Sequence, residues 1–287
     1  MKDNKKKILI IFVSIFLISI FFTGLVKGSS EPTFVLLVHG YSITGTEGTD
    51  QWKIGVNIYQ QLVDAGYVVG VVHYYGEFQV DYSNGYVFSD PNFYGTSNTP
   101  IEDISNELAY AIDNLASTYG DVNLDIVSHS MGGLVTAYML ENYLLPVNIQ
   151  NVIFIAPPFN GSPFASIASY LGLDIFVGYQ VDQMTEGSTF INNIQTNVLN
   201  MLNNYGSTTF IVYQGTYDPW WGNIFFNSDN DGVVSINSAT SLYYDYLYTF
   251  PNDVHTQWLD QFTSSGISYF EDQSVASQIL SNLAGNY

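Results

Sequence analysis

Apolar residues gather along this chain in short runs, interrupted by polar residues only at Asn123 and Asp125. Phe34-Val35-Leu36-Leu37-Val38, residues 68–72, residues 122–127, Val152-Ile153-Phe154-Ile155 and Phe210-Ile211-Val212-Tyr213 are each too short for a core helix and rich in β-branched or aromatic side chains. Such runs predict strands buried on both faces. Between them the apolar period lengthens to that of a helix. Ile54, Ile58 and Leu62 predict a helix over residues 52–65 that closes at Gly66. Ile101, Ile104, Leu108, Ile112 and Leu115 line a second helix, opened by Thr99 as cap, Pro100 at the first position and Glu102. Residues 133–143 form a third. Residues 242–250 read as a further strand, and residues 256–262 and 274–283 as helical. Strand alternating with helix five times predicts an α/β fold: a mostly parallel central sheet with helices on both faces.

Two stretches escape this rhythm. Residues 74–98 are rich in Tyr, Asn and Gly, show no period, and are too long for a simple connection. Residues 160–205 are weakly amphipathic and apolar. The N-terminus is different again: Lys2, Lys5, Lys6 and Lys7 precede an apolar run over residues 8–26, interrupted by Ser14, Ser19, Thr23 and Gly24. This is the composition of a secretory signal cut after Gly28, or of an N-terminal membrane anchor of the same 1–28 span. Either way residues 31–287 are expected as one domain, secreted or held on the extracytoplasmic face.

Export changes the charge. All six bases are lysines, and only Lys53 lies beyond residue 28. The 26 acids less Asp3 leave 25 carboxylates against it, a net charge of −24. Asn, Ser, Thr and Tyr cover the surface in place of bases, which suits an acidic medium where carboxylates neutralise. Nucleic acid is excluded as a partner, because phosphate would meet no cations. The absence of cysteine excludes disulfides, thiol chemistry and cysteine metal sites.

One pentapeptide carries chemistry. Ser128-His129-Ser130-Met131-Gly132 joins the run at 122–127 to the helix at 133–143. A serine on a sharp strand-to-helix turn needs small residues two positions to either side, and the turn aims the next N–H at a developing oxyanion. Ser130 is thus the candidate nucleophile and Met131 N–H one oxyanion donor. Only His255 among the four histidines follows Ser130, so it is the candidate base. The acid between them is best placed at Asp231, in the turn Asp229-Asn230-Asp231-Gly232; Asp218, after the run at 210–213, is the alternative. Tyr41 N–H, beyond Gly40 at the end of the first strand, is the second oxyanion donor. His39 and His129 read as structural, and His73 carries no assignable role.

Val38-His39-Gly40-Tyr41, the elbow, Ala156-Pro157-Pro158-Phe159-Asn160-Gly161-Ser162-Pro163-Phe164-Ala165 and Asn230-Asp231-Gly232-Val233-Val234 occur in the order found in the α/β-hydrolase superfamily. Across residues 33–262 the chain most resembles the secreted triacylglycerol lipases and lipase-like serine esterases. The resemblance implies an α/β-hydrolase fold, Asp231 as the acid, and a lid or cap over residues 160–205, with the apolar stretch 169–181 as its contact with lipid. Gln257 stands where these lipases often carry a calcium ligand, so neither a metal nor a cofactor is expected. The expectation is an exported serine carboxylester hydrolase acting on an ester or lipid, with membrane or lipid-interface contact through the N-terminal segment and the lid. The alternatives are an acyltransferase or amidase with the same triad, or a noncatalytic binding homologue.

Overall fold

The five apolar runs become β1 (Thr33–Val38), β2 (Val68–His73), β5 (Asn123–His129), β6 (Asn148–Ile155) and β7 (Thr209–Gly215) of an eight-stranded sheet. β8 (Tyr246–Phe250) closes one edge, and β3 (Gly76–Tyr82) and β4 (Val87–Gly95) extend the other. The order is β4-β3-β2-β1-β5-β6-β7-β8, and only β3 runs against the others, pairing antiparallel with both β2 and β4. The computed structural model describes residues 32–42, 49–163, 178–217, 228–256 and 266–287. The N-terminal segment, Asp218, Gln257, residues 164–177 of the expected lid and residues 257–262 of the expected helix lie outside them. Thr33–Tyr287 is a compact unit of its own.

Alternation along β1 shows why the runs are continuous. Phe34, Leu36 and Val38 face one core, and Val35 and Leu37 face the other. Five helices cover the first face or its flank: α2 (Ile101–Tyr119), α3 (Met131–Asn142), α4 (Tyr179–Gln183), α5 (Thr189–Asn204) and the short α6 (Ile236–Ala239). On the second lie α1 (Ile58–Asp64), the 3-10 turn Thr49–Trp52 and α7 (Gln273–Leu283). Every residue of the expected α2 stripe is buried, at roughly 1.5–3 kcal/mol for each large side chain. The order reverses between β1 and β5, so the crevice above their C-terminal ends is where such a sheet holds its ligand.

Three details depart from expectation. Residues 74–98 are neither loop nor periodless, since β3 and β4 pair antiparallel and widen the sheet beyond β2. Phe78, Val80 and Tyr82 are buried at every second position, and Pro91 is accommodated because β4 is an edge. The helix expected over 52–65 begins only at Ile58, because Asn57 takes a left-handed conformation (φ 52°) and its side chain accepts the Gln60 N–H. At α2 the side chain of Thr99 does not cap; the Ile101 N–H instead donates to Gln183 Oε1 at 2.9 Å.

Candidate active site

Ser130 stands between β5 and α3 at φ 54°, ψ −125°, a region that costs a residue with a side chain roughly 1–3 kcal/mol. Its surroundings hold it there. The Ser130 N–H donates to Ile155 O at 2.9 Å, and the Ser130 carbonyl accepts the Gly133 N–H at 2.8 Å. The turn packs so closely on β1 that a methyl group on Gly132 would come within 2.4 Å of His39 O and 2.6 Å of Val38 O. On the other side Ser128 fits because its hydroxyl is itself bonded, donating to Ile153 O at 3.3 Å.

His255 and Asp231 converge on this serine. Asp231 Oδ2 lies 2.8 Å from His255 Nδ1, and His255 Nε2 lies 2.8 Å from Ser130 Oγ. A carboxylate only accepts, so Nδ1 carries the ring proton and Nε2 is left to accept from the serine hydroxyl. The acid is fastened from several directions. Its Oδ1 accepts the N–H groups of Val233 (3.0 Å) and Val234 (2.8 Å), its own N–H donates to Val234 O, and its carbonyl accepts the His255 N–H at 3.0 Å. Asp231 is fully buried and His255 nearly so, which keeps water from competing for these bonds. One further residue, unmarked by any local pattern in the sequence, reaches the same group: the Tyr269 hydroxyl donates to Asp231 Oδ2 at 2.9 Å.

The other histidines take supporting places. His129 Nε2–H donates to His255 O at 3.1 Å, with the two rings 4.8 Å apart; burial holds its pKa well below the ordinary imidazole value. His39 stacks on Tyr74 at 3.8 Å and donates from Nδ1 to Gly40 O at 2.7 Å. Burial pushes its pKa down to about 3, so it is neutral. His73 lies 3.2 Å from Asp81 across the β2–β3 pair.

The loop after β1 is shaped by two tyrosines. Tyr74 donates its hydroxyl to the carbonyls of His39 and, at 3.0 Å, Gly40. Carbonyl and N–H point in opposite directions across a trans peptide, so the Tyr41 N–H is turned away from Tyr74. Tyr75 accepts the Ser42 N–H at 3.1 Å and donates to Gln180 Oε1 at 2.8 Å. Gln180 Nε2 in turn donates to Thr96 O and Thr99 O. Helix α4 is thereby tied through Tyr75 to the loop that carries Tyr41. Met131 N–H heads α3, where a helix has no acceptor of its own. No group of three or more His, Cys, Asp or Glu able to hold a metal occurs among the described residues.

A parallel sheet reversing at β1/β5, an elbow serine after β5, an acid after β7 and a histidine after β8 define the α/β-hydrolase fold. Residues 68–171 match the model of a family described as alpha/beta hydrolases of unknown function. No curated protein matches the chain. Among solved structures, the chain is similar to the mature form of the Bacillus licheniformis lipase BlEst2 (17% identity, TM-score 0.57, covering 90% of this chain and 92% of that one). It spans only 50% of the propeptide form of the same lipase, at TM-score 0.59, 17% identity and 89% coverage of this chain. It is also similar to the phospholipase PlaB of Legionella pneumophila (16% identity, TM-score 0.57, 86% of this chain and 59% of that one). At such identities the shared property is the fold.

Proposed function

We propose that the chain is an exported serine hydrolase of carboxylic esters. The observation that carries this reading is the continuous hydrogen-bonded line from Ser130 Oγ through His255 to Asp231. In the proposed reaction His255 Nε2 takes the serine proton as Oγ attacks the ester carbonyl, giving a tetrahedral oxyanion held by the N–H groups of Met131 and Tyr41. Asp231 stabilises the imidazolium. The imidazolium then protonates the departing alkoxide, which leaves as the alcohol, and the acyl group stays on Ser130. His255 next takes a proton from water, the resulting hydroxide attacks the acyl-serine, and the carboxylic acid is released as the proton returns to Ser130. The lysine cluster and apolar run at 1–28 support export. A lipid-like acyl group is favoured by the lipase and phospholipase named among the structures of like fold, with contact at a lipid interface through the cap and the N-terminal segment.

A fluorophosphonate probe tests the reading: it should label the wild-type protein once, on Ser130, and leave Ser130→Ala unlabelled. Stable protein that does not react would overturn the proposal in favour of a noncatalytic homologue. Labelling together with release of the acyl group to an added alcohol or amine in preference to water would make the chain a transferase.

A further inference from the structure

Tyr269 follows β10 (Ile267–Ser268), which pairs with β9 (Asp253–Val254) just before His255. Its ring is fully buried. The Gly215 N–H, at the end of β7, donates to the phenol oxygen, and the phenol donates to Asp231 Oδ2 at 2.9 Å. The direction is fixed at both ends, since the amide can only donate and the carboxylate can only accept. Oδ2 is also the oxygen that accepts the His255 ring N–H. Two donors therefore share one carboxylate oxygen while the backbone occupies the other. A phenol dipole whose positive end points at Oδ2 weakens the attraction between that oxygen and an imidazolium on the far side of it.

We infer that Tyr269 is a positioning residue which, by hydrogen-bonding Asp231 Oδ2, keeps His255 free of its second proton to lower pH and so extends activity into acid. The inference rests on the reading of Ser130, His255 and Asp231 as the reacting line. It supplies a cause, inside the site, for function in the acidic medium to which the base-poor surface points. Among the described residues, the other titratable groups around His255 are Ser130, His129, Asp253 and, beyond His129, His39. His129 and His39 are held neutral by burial, and Asp253, whose charge also acts on Tyr269, keeps its place in the sequence in every variant compared. Burial raises the Tyr269 pKa well above the phenol value, with the Asp231 charge adding to it, so the donor keeps its proton throughout.

The experiment follows His255 directly. With four histidines in the chain, the imidazole Cε1–H resonances can be titrated without substrate, that of His255 being assigned by its loss in His255→Gln. Tyr269→Phe should move the His255 midpoint upward by about one pH unit, the scale of one hydrogen bond to a charged group. The acid limb of kcat/KM for p-nitrophenyl acetate should move with it. Site-specific 3-fluorotyrosine at 269, a stronger donor of nearly the same shape, should move both downward and carries the test if Tyr269→Phe does not fold. Unmoved midpoints in these proteins, with only a lower Tm in Tyr269→Phe, would reduce Tyr269 to packing and overturn the inference. A shifted resonance in a protein that never turns over an ester would instead overturn the hydrolase reading alone.

Discussion

Gly40 and Ser130 approach so closely that a methyl group added to Gly40 would lie 2.8 Å from the Ser130 Cβ and 3.1 Å from His129 Nδ1. The first strand and the elbow are therefore packed backbone against serine at the point where an oxyanion would form. Gly40→Ala must push the loop carrying Tyr41 away from Ser130. It is expected to lower kcat for a p-nitrophenyl ester by about 10²–10³-fold, the effect of one lost oxyanion donor, while the fold persists. Activity within threefold of wild type would show that the loop is not part of the site.

Ser130→Ala and His255→Ala are expected to lower turnover by roughly four to six orders of magnitude, with Asp231→Asn somewhat milder. Asp218, the alternative acid, lies outside the described residues, so the comparison that decides is kinetic. A damaging Asp218→Asn beside a harmless Asp231→Asn would transfer the role.

The serine conformation supplies a stability test that is independent of substrate. Because Ser130 sits at positive φ, Ser130→Gly should abolish esterase activity and raise Tm. Relief of roughly 1–3 kcal/mol corresponds to a few degrees in a domain of this size. A lower Tm would show that the serine side chain contributes more through its bonds than the conformation costs.

The difference between what the sequence discloses and what it hides is one of range. β1, β6 and β7 are legible because strands buried on both faces are continuously apolar, β5 because its apolar run is broken only by Asn123 and Asp125, and the α2 stripe because five side chains meet one core. Residue size around the elbow marks Ser130 and order along the chain marks His255, while Asp231 is preferred to Asp218 from its turn and from the family resemblance; Ser130, His255 and Asp231 stand in one hydrogen-bonded line in the structure. The hairpin β3–β4 is obscured by composition: Glu77, Gln79 and Asp81 separate Phe78, Val80 and Tyr82, a strict alternation inside a Tyr- and Asn-rich stretch. The cap of α2 comes from Gln183, 82 residues away, and Tyr269 reaches Asp231 across 38. No local pattern announces either. Likewise the break before α1 is set where the Val56 N–H meets Phe270 O at 2.9 Å, a contact that helical spacing cannot foresee.

Tyr75→Phe tests whether α4 supports the site. The hydroxyl accepts the Ser42 N–H and links that loop to the buried Gln180. Its removal should loosen residues 41–42 and lower kcat by roughly tenfold with little change in KM, since it acts on a donor used in the transition state. Equal loss in kcat and gain in KM would place Tyr75 in substrate binding instead.

Two buried carboxyl groups point the protein's stability toward acid. Both oxygens of Glu141, on α3, are buried with no hydrogen-bond partner among the described residues, and desolvation raises its pKa to about 8. Asp125, on β5, is raised to about 6 by burial, against the opposing hydrogen bonds from Asn151 N and Nδ2 to its Oδ1. In each case the folded pKa lies above the unfolded one, so the unfolded chain gives up its proton first as pH rises. The stabilisation is complete below the unfolded carboxylate range near pH 4 and is lost progressively, through about pH 6 for Asp125 and about pH 8 for Glu141. Each tenfold difference in proton affinity between the two states is worth roughly 1.4 kcal/mol, so the Glu141 contribution amounts to a few kcal/mol. Tm should therefore fall steadily from pH 5 to pH 8. Glu141→Gln, which keeps the shape and cannot ionise, should flatten that slope and be the more stable protein at pH 8, though not at pH 4. A variant whose Tm parallels wild type across the whole range would show that Glu141 is not the titrating group, and a wild-type Tm that rises toward pH 8 would remove the case for an acid-adapted fold.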